Sequence, residues 1–321
     1  MAPSSSRAAT SDPSREAGAL RTPAGEPGPG EESVETPTPT ESPATRTAAM
    51  ETAPSGATRS ATRHLDRLGS PGTGVLVTGG GSGIGRETAL ALAEVGRPVA
   101  IWDVNAEGAE ETAALCRDRY GSVVSWSVVD VSDTSAIEGA VPLVATALGS
   151  LGGFVHAAGV SGPMSVDFID DELWDNTLNV NLRAAVMISR MLLEPFREAG
   201  PGSAAVLISS IEGLYGSAML TAYCASKGGV LAVMRSIAQR FAMEGFRVNA
   251  VCPGAVSTPM LAPAFELPGF RQQLEERTPL QRISTPDEIA KPIRFLLSDE
   301  ASFITGTYLT VDGGLTAVTA I

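Results

Sequence analysis

Histidine and lysine are almost missing from this 321-residue chain. His64 and His156 are its only imidazoles, and Lys227 and Lys291 its only ammonium side chains. A histidine-based triad or a metal centre therefore has almost nothing to be built from. Cysteine is nearly as scarce. Cys116, Cys224 and Cys252 form no Cys-x-x-Cys or metal-like spacing, which excludes a disulfide scaffold and fits a reducing compartment. No apolar run reaches membrane-spanning length and there is no signal-peptide core, so a cytoplasmic protein without a membrane partner is expected. Positive charge is short as well: 23 Lys and Arg face 36 Asp and Glu, a net charge of −13. Nucleic acid is thereby excluded as a general partner, because phosphate backbones need a basic face.

Residues 1–70 contain no Phe, Trp, Tyr, Ile or Cys, one Val, and many Pro, Ser, Thr, Ala and Glu. Such a stretch cannot bury enough apolar surface to offset its ordering entropy, so a disordered tail is expected. Acids such as Glu26, Glu31, Glu32, Glu35 and Glu41 among its arginines argue against a transit peptide. The remainder, residues 71–321, suits a single α/β domain.

What is present is concentrated at one turn. The apolar run Val75-Leu76-Val77 leads through Thr78-Gly79-Gly80-Gly81-Ser82-Gly83-Ile84-Gly85 into a helical pattern over Glu87–Ala93. A glycine-dense turn between a buried strand and a helix lets backbone N–H groups approach a diphosphate, where the helix dipole favours negative charge. The spacing is Gly-x-x-x-Gly-x-Gly, a variant of the dinucleotide fingerprint with the same logic.

Strands and helices then alternate. Strands are expected at Pro98–Trp102, Val123–Val129, Phe154–Ala157, Ala204–Ile208, Arg247–Val251 and Tyr308–Val311. Helices are expected over Ala106–Arg117, Ser135–Leu148, Glu172–Arg197 and Thr221–Met243. Continuous apolar strands separated by helices mean parallel βαβ units with both sheet faces covered. The expected architecture is a doubly wound, mostly parallel, seven-stranded α/β sheet with its ligand crevice at the carboxyl ends of the strands.

Asp103 ends the second strand, 18 residues beyond Gly85. A carboxylate there can accept from both hydroxyls of an adenosine ribose and would repel a 2′-phosphate, so NAD is expected over NADP. Asp130, at the end of the third strand, either reaches the adenine or starts the turn Asp130-Val131-Ser132-Asp133. Tyr223 and Lys227 share a helix face four residues apart. An ammonium about 5 Å from a phenol, at an effective dielectric near 20, favours the phenolate by roughly 3 kcal/mol. That would draw the phenol from about 10 toward a useful acid/base range. Ser209 and Ser210 end the preceding strand, so at least one hydroxyl reaches the crevice, and Asn181 lies upstream in Asn179-Val180-Asn181-Leu182.

Together these residues resemble the short-chain dehydrogenase/reductase family, in its main single-domain form, over about residues 72–316. Thr78-Gly79-x-x-x-Gly83-Ile84-Gly85 resembles its cofactor motif and Tyr223-x-x-x-Lys227 its catalytic pair. Pro253-Gly254 followed by Thr258, and Ile304-Thr305-Gly306 with Val311-Asp312-Gly313-Gly314, match further segments. The resemblance implies an NAD-dependent oxidoreductase that interconverts a small-molecule secondary alcohol and a ketone. It makes Tyr223 the general acid/base, and Lys227 the group that lowers its pKa and binds the nicotinamide ribose. Ser210 would hydrogen-bond the substrate oxygen, and Asn181 would hold a water linking Lys227 to solvent. Gly79, Ser82, Gly83, Ile84, Gly85, Asp103, Asp130, Val131, Ala157, Ala158, Gly159, Pro253, Gly254, Val256 and Thr258 would line the cofactor site. The alternatives are an NADPH-dependent 3-oxoacyl-(acyl carrier protein) reductase and a non-catalytic NAD-binding scaffold.

The pattern departs from the family at His156-Ala157-Ala158-Gly159, where an asparagine is usual. His156 is expected as a satisfied core histidine that replaces the lost hydrogen bonds. Glu212 is unusual beside a substrate oxygen and is expected to face solvent, and Cys224 to be a small core residue. Gly228-Gly229 within a helix costs about 1 kcal/mol per glycine, which a close backbone neighbour, such as a partner subunit, would explain. A homodimer or homotetramer is implied by the resemblance. Residues 259–283, with four prolines and Met260, Leu261, Phe265, Leu267 and Phe270, resemble the family's variable substrate lid.

Overall fold

A computed structural model describes residues 67–318. The expected disordered tail lies outside the described residues except for its last four. Arg67–Gly69 form a single 3-10 turn, and the Ser70 carbonyl accepts from the Asp299 amide at 2.9 Å while its hydroxyl donates to the Asp299 carboxylate.

The strands run in the order β3-β2-β1-β4-β5-β6-β7, and every neighbouring pair is parallel. They are β1 (Gly74–Thr78), β2 (Val99–Asp103), β3 (Val124–Val128), β4 (Leu151–His156), β5 (Ala204–Ile208), β6 (Arg247–Pro253) and β7 (Tyr308–Val311). The strand order turns back between β1 and β4, which opens the crevice beyond their carboxyl ends where doubly wound folds bind ligands.

Period-two alternation explains why both faces are apolar. Val75, Val77, Ile101, Val155 and Val206 face a cluster with Leu90, Ile289, Ile293 and Leu296. Leu76, Trp102, Phe154 and Leu207 face the opposite cluster with Ile137, Ile188, Val230 and Met234. The first layer is built by α1 (Gly83–Glu94), α2 (Ala106–Tyr120) and α10 (Pro286–Leu297). The second contains α3 (Thr134–Leu148), α5 (Ala184–Met191), α6 (Leu193–Ala199) and α7 (Thr221–Ala242). Local chemistry sets the helix ends. Asn105 caps α2 through the Gly108 amide, Asp133 caps α3 through Ser135, and Thr285 with Glu288 forms a capping box on α10.

The long helix expected over Glu172–Arg197 is not continuous. It is divided into α4 (Asp171–Leu178), a π turn at Asn179–Arg183, α5 and α6. The lid segment carries the short helices α8 (Ala262–Phe265) and α9 (Phe270–Arg277). At the opposite end of the sheet, Arg97 and Arg247 are buried and donate to the last carbonyls of α10. Arg97 reaches Leu297, while Arg247 reaches Leu296 and Ser298. Cations there complement the helix dipole and satisfy carbonyls the helix cannot.

Candidate active site

All strands are parallel, so the β1 turn and the ends of β4, β5 and β6 meet at one edge. Gly79 has φ +65°, and a Cβ there would stand 2.6 Å from the Ala158 amide nitrogen. A Cβ on Gly85 would stand 2.1 Å from the Gly79 carbonyl oxygen. Only glycine lets α1 press onto the turn and the turn onto the β4 loop. Ser82 holds the N-cap position in extended backbone, yet its side chain caps nothing. The first-turn amides of α1 are thus left for an outside acceptor.

The Asp103 carboxylate lies beside this turn. It accepts from the Gly81 amide at 2.8 Å and the Asn105 amide at 2.9 Å. Arg86, on α1, is already committed: its guanidinium donates to the Gly81 carbonyl at 2.7 Å and pairs with Glu111 at 2.6 Å. Asp130 accepts from the Ser132 amide at 2.8 Å and its hydroxyl at 2.7 Å, which is the turn-starting geometry. Val131 is buried in the core beneath it. Val256 is buried, and Thr258 stands against Gly83, whose added Cβ would meet the Thr258 methyl at 3.2 Å. Gly254, following Pro253 at the end of β6, donates its amide to Val311 at 3.0 Å. Ile84 is half-buried against the α1-side core.

The β4 loop is held by a chain of bonds that sequence reasoning only half anticipated. His156 is fully buried. Its Nε2 lies 3.1 Å from the Val180 carbonyl and its Nδ1 3.0 Å from the Thr78 hydroxyl. With a carbonyl at Nε2, the proton belongs there and Nδ1 accepts from Thr78. The Thr78 oxygen in turn accepts from the Ala158 amide at 3.3 Å. Burial, joined by the Lys227 charge, pushes the imidazole down to about 4, so it is neutral. Thr78 was missed. Its signal was register, since Thr78 pairs directly with His156 across β1 and β4.

Asn181, in the π turn, is also fully buried. Its amide donates to the Val160 carbonyl and the Ser226 hydroxyl, both at 2.9 Å, and its oxygen accepts from the Val160 amide at 2.8 Å. The side chain clamps the Gly159–Val160 backbone to α7. Both amide hydrogens are thereby engaged within the chain, so they are not held for the water expected to link Lys227 to solvent. Ser226 was not anticipated either.

The two serines separate. Ser209 is buried and donates to the Lys227 carbonyl at 2.8 Å. Ser210 opens a short 3-10 turn, accepts from the Glu212 amide at 3.1 Å, and lies close enough to Tyr223 for its hydroxyl to pull the phenol pKa down. Lys227 is 4% exposed, donates to the Ile208 carbonyl at 2.9 Å, and lies 5.5 Å from the centroid of the Tyr223 ring. Burial pulls its ammonium down to about 8.

The expected acidification of Tyr223 is not what these groups produce. Burial pushes the phenol up to about 12. The Ser210 hydrogen bond works against this, and the Glu212 and Cys224 charges add to the rise. The ammonium sits over the ring face with its hydrogen bond aimed at Ile208, and desolvation is the largest influence on the phenol. Tyr223 is therefore a neutral donor in this arrangement.

Two other expectations are corrected. Glu212 does not simply face solvent: it is half-buried, its carboxylate lies 3.8 Å from the Cys224 thiol, and burial raises its pKa. Gly229 answers to a neighbour within the chain, since a Cβ there would meet the Leu182 side chain at 2.7 Å. All three cysteines are free. Among the described residues no cluster of ligating side chains could hold a metal, and no helix is long and apolar enough to cross a membrane.

Comparison with known proteins agrees with this geometry. A family model described as Enoyl-(Acyl carrier protein) reductase matches residues 79–316. The chain is 40% identical over 245 residues to cis-4-hydroxycyclohexanecarboxylate dehydrogenase of Sinomonas cyclohexanicum, covering 76% of this chain and 96% of that protein. It is 37% identical over 248 residues to 2-(S)-hydroxypropyl-CoM dehydrogenase 3 of Xanthobacter autotrophicus, with shares of 76% and 96%. The crystal structure of a putative short-chain alcohol dehydrogenase from Sinorhizobium meliloti superposes with a TM-score of 0.76 at 32% identity, over 79% of this chain and 100% of that one.

Proposed function

The chain belongs to the short-chain dehydrogenase/reductase family of oxidoreductases, and from that premise we propose that it interconverts a secondary alcohol and its ketone with NAD. The observation that carries the proposal is the meeting of Ser210, Tyr223 and Lys227 at the strand-end crevice beside the glycine turn.

The residues present fit a dinucleotide. The uncapped first turn of α1, with Gly79, Ser82, Gly83, Ile84 and Gly85, would take its diphosphate. Asp103 would hold the adenosine ribose, and Asp130 and Val131 would lie at the adenine. Ala158, Gly159, Pro253, Gly254, Val256 and Thr258 would line the nicotinamide end. NAD is favoured because Asp103 presents a carboxylate where a 2′-phosphate would sit, and because Arg86 is committed to Gly81 and Glu111. When bound, this group supplies the hydride or receives it.

The chain's own groups manage the oxygen and its proton. Ser210 orients the substrate oxygen, and Tyr223 gives it a proton in reduction or takes one in oxidation. A phenol near 12 suits the donor role. Moving the Lys227 ammonium from the Ile208 carbonyl toward the phenol oxygen is what would make the phenolate accessible. Asn181 fixes the loop against which Lys227 lies.

A ring-bearing secondary alcohol fits the relative whose name specifies a hydroxycyclohexanecarboxylate, and the apolar Met164, Leu214 and Met219 with the lid would supply its walls. NADPH-dependent reduction of a carrier-bound substrate is disfavoured, since docking an acidic carrier needs a basic face. Arg190 is paired with Glu138, and Arg183 donates to the Ser132 carbonyl. A homodimer or homotetramer is supported by Phe303, Tyr308 and Leu309, exposed on or near the edge strand β7. The free thiols suit a reducing, cytoplasmic setting.

A screen of secondary alcohols with NAD+, followed by nicotinamide absorbance, tests the reading. Tyr223→Phe should reduce turnover by about 100-fold or more. Full turnover in that variant would remove Tyr223 from the chemistry.

A further inference from the structure

One imidazole joins two parts of the crevice. His156, the last residue of β4, is fully buried. Its Nδ1 accepts from the Thr78 hydroxyl at 3.0 Å, and its Nε2 donates to the Val180 carbonyl at 3.1 Å. Buried and neutral, the ring is an acceptor at one nitrogen and a donor at the other, and its planarity fixes the distance between them. Neither nitrogen is left to exchange a proton with a substrate.

The two arms end at different machinery. Thr78 closes β1 directly before Gly79, and its oxygen also accepts from the Ala158 amide at 3.3 Å. The Gly79 backbone is pressed against that same amide, where a Cβ would stand 2.6 Å from the nitrogen. The Thr78 arm therefore fixes the joint between the glycine turn and the β4 loop. Val180 lies in the π turn, one residue before Asn181. Asn181 donates to the Ser226 hydroxyl at 2.9 Å, and that hydroxyl donates to the Tyr223 carbonyl at 2.8 Å. A Cβ on Gly159 would meet Asn181 Oδ1 at 3.2 Å and Lys227 Nζ at 3.5 Å, so the Asn181 amide and the ammonium border one space. The Val180 arm therefore ends at the backbone of Tyr223 and beside the seat of Lys227.

We infer that His156 is a positioning residue with two separable duties: through Thr78 it sets the diphosphate-binding turn against the β4 loop, and through Val180 it sets the π turn that seats Tyr223 and Lys227. The inference rests on the NAD-dependent dehydrogenase reading for its consequences in binding and turnover. The ring touches neither substrate nor cofactor in this scheme, and each duty passes through a named hydrogen bond.

The two nitrogens can be replaced one at a time in the full-length protein. His156→Asn puts an amide oxygen where Nδ1 stood and is too short for Val180. His156→Gln puts an amide nitrogen where Nε2 stood and gives up Thr78. Two readouts need no turnover. One is the NADH dissociation constant from nicotinamide fluorescence. The other is the NMR signal of isotope-labelled lysine, which is simple here because Lys227 and Lys291 are the only lysines. Lys291, paired with Asp287 at 2.8 Å on the surface, is the internal control for an intact fold. His156→Gln should weaken NADH binding about three- to tenfold, the scale of one neutral hydrogen bond, and leave the Lys227 signal in place. Thr78→Val should do the same, and combining it with His156→Gln should cost no more than either change alone. His156→Asn should leave NADH affinity within about twofold, shift the Lys227 signal but not that of Lys291, and lower kcat at saturating NAD+ about three- to tenfold. Both variants moving both readouts, neither moving either, or the two duties exchanged would overturn the inference. A wild type that binds NADH but oxidises no secondary alcohol would sink the dehydrogenase reading alone, since both readouts still decide the two duties. A wild type that binds no NADH would overturn the Thr78 duty, and the Lys227 signal would then judge the Val180 duty.

Discussion

Replacing Lys227 by methionine should destroy activity and, at neutral pH, make the protein more stable. The magnitude follows from the burial of the ammonium. Its pKa falls from 10.5 to about 8 because charging it inside the protein is unfavourable. A shift of that size corresponds to about 3 kcal/mol of penalty at pH 7. Methionine has similar length, no charge to desolvate, and fits irregular apolar space. Against this stands the hydrogen bond to Ile208, worth about 1 kcal/mol net. The expected gain at pH 7 is therefore about 2 kcal/mol.

The sign with pH is the sharper test. The folded state binds fewer protons than the unfolded state between about 8 and 10.5, so wild-type stability rises with pH across that window. Below it the penalty is fully present. By pH 9.5 it should have fallen by about 2 kcal/mol, bringing the two proteins level. Tyr223 contributes little below pH 9.5, because its phenol titrates near 10 when unfolded and about 12 when folded, and it is present in both proteins. Urea unfolding at fixed protein concentration, from pH 6 to 9.5, reads the difference directly. A variant less stable than wild type at pH 7, or an advantage that stays constant to pH 9.5, would refute the argument. Activity should fall by about 100-fold or more in the same variant, a trade of function against stability.

Asp103→Ala should move the ratio of kcat/KM for NAD over NADP about 10- to 100-fold toward NADP, the scale of a hydrogen bond to a charged group, measured by initial rates with both cofactors. A wild-type preference for NADP would undo the assignment. His156→Asn should remove an acid-side loss of stability. The imidazole, held near 4 when folded and near 6.5 when unfolded, binds more protons in the unfolded state, so stability contributed at neutral pH is lost as pH falls from 6.5 to 4. Urea midpoints of the two proteins should therefore diverge at pH 7 and converge near pH 4.5, and parallel curves would show that His156 does not titrate in that range.

The inner strands were legible because β1, β2, β4, β5 and β6 are largely apolar runs buried on both sides, whereas β3 and β7, at the two edges, are only partly covered. The glycine turn was legible for a related reason: Gly79 and Gly85 fill positions where a Cβ would strike neighbouring backbone, a constraint that marks the sequence itself. Thr78 and His156 were harder, because their bond depends on cross-strand register, which no single segment carries. The π turn was invisible in a helix-like pattern, since what opens it is the packing of Asn181 against Val160 and Ser226. Tyr223 and Lys227 teach the most. Their four-residue spacing correctly predicts that they meet, and Coulomb's law then predicts an acidified phenol. Burial reverses that sign for Tyr223 and lowers Lys227 as well, and burial is a property of everything else that folds around them. Neither group is charged cheaply at this site, and the proposed proton transfer would be eased by a displacement of the ammonium from Ile208 toward the phenol. On the proposed mechanism the Lys227 hydrogen bond to Ile208, and not only the pairing of two residues on one helix turn, would then bear on the chemistry.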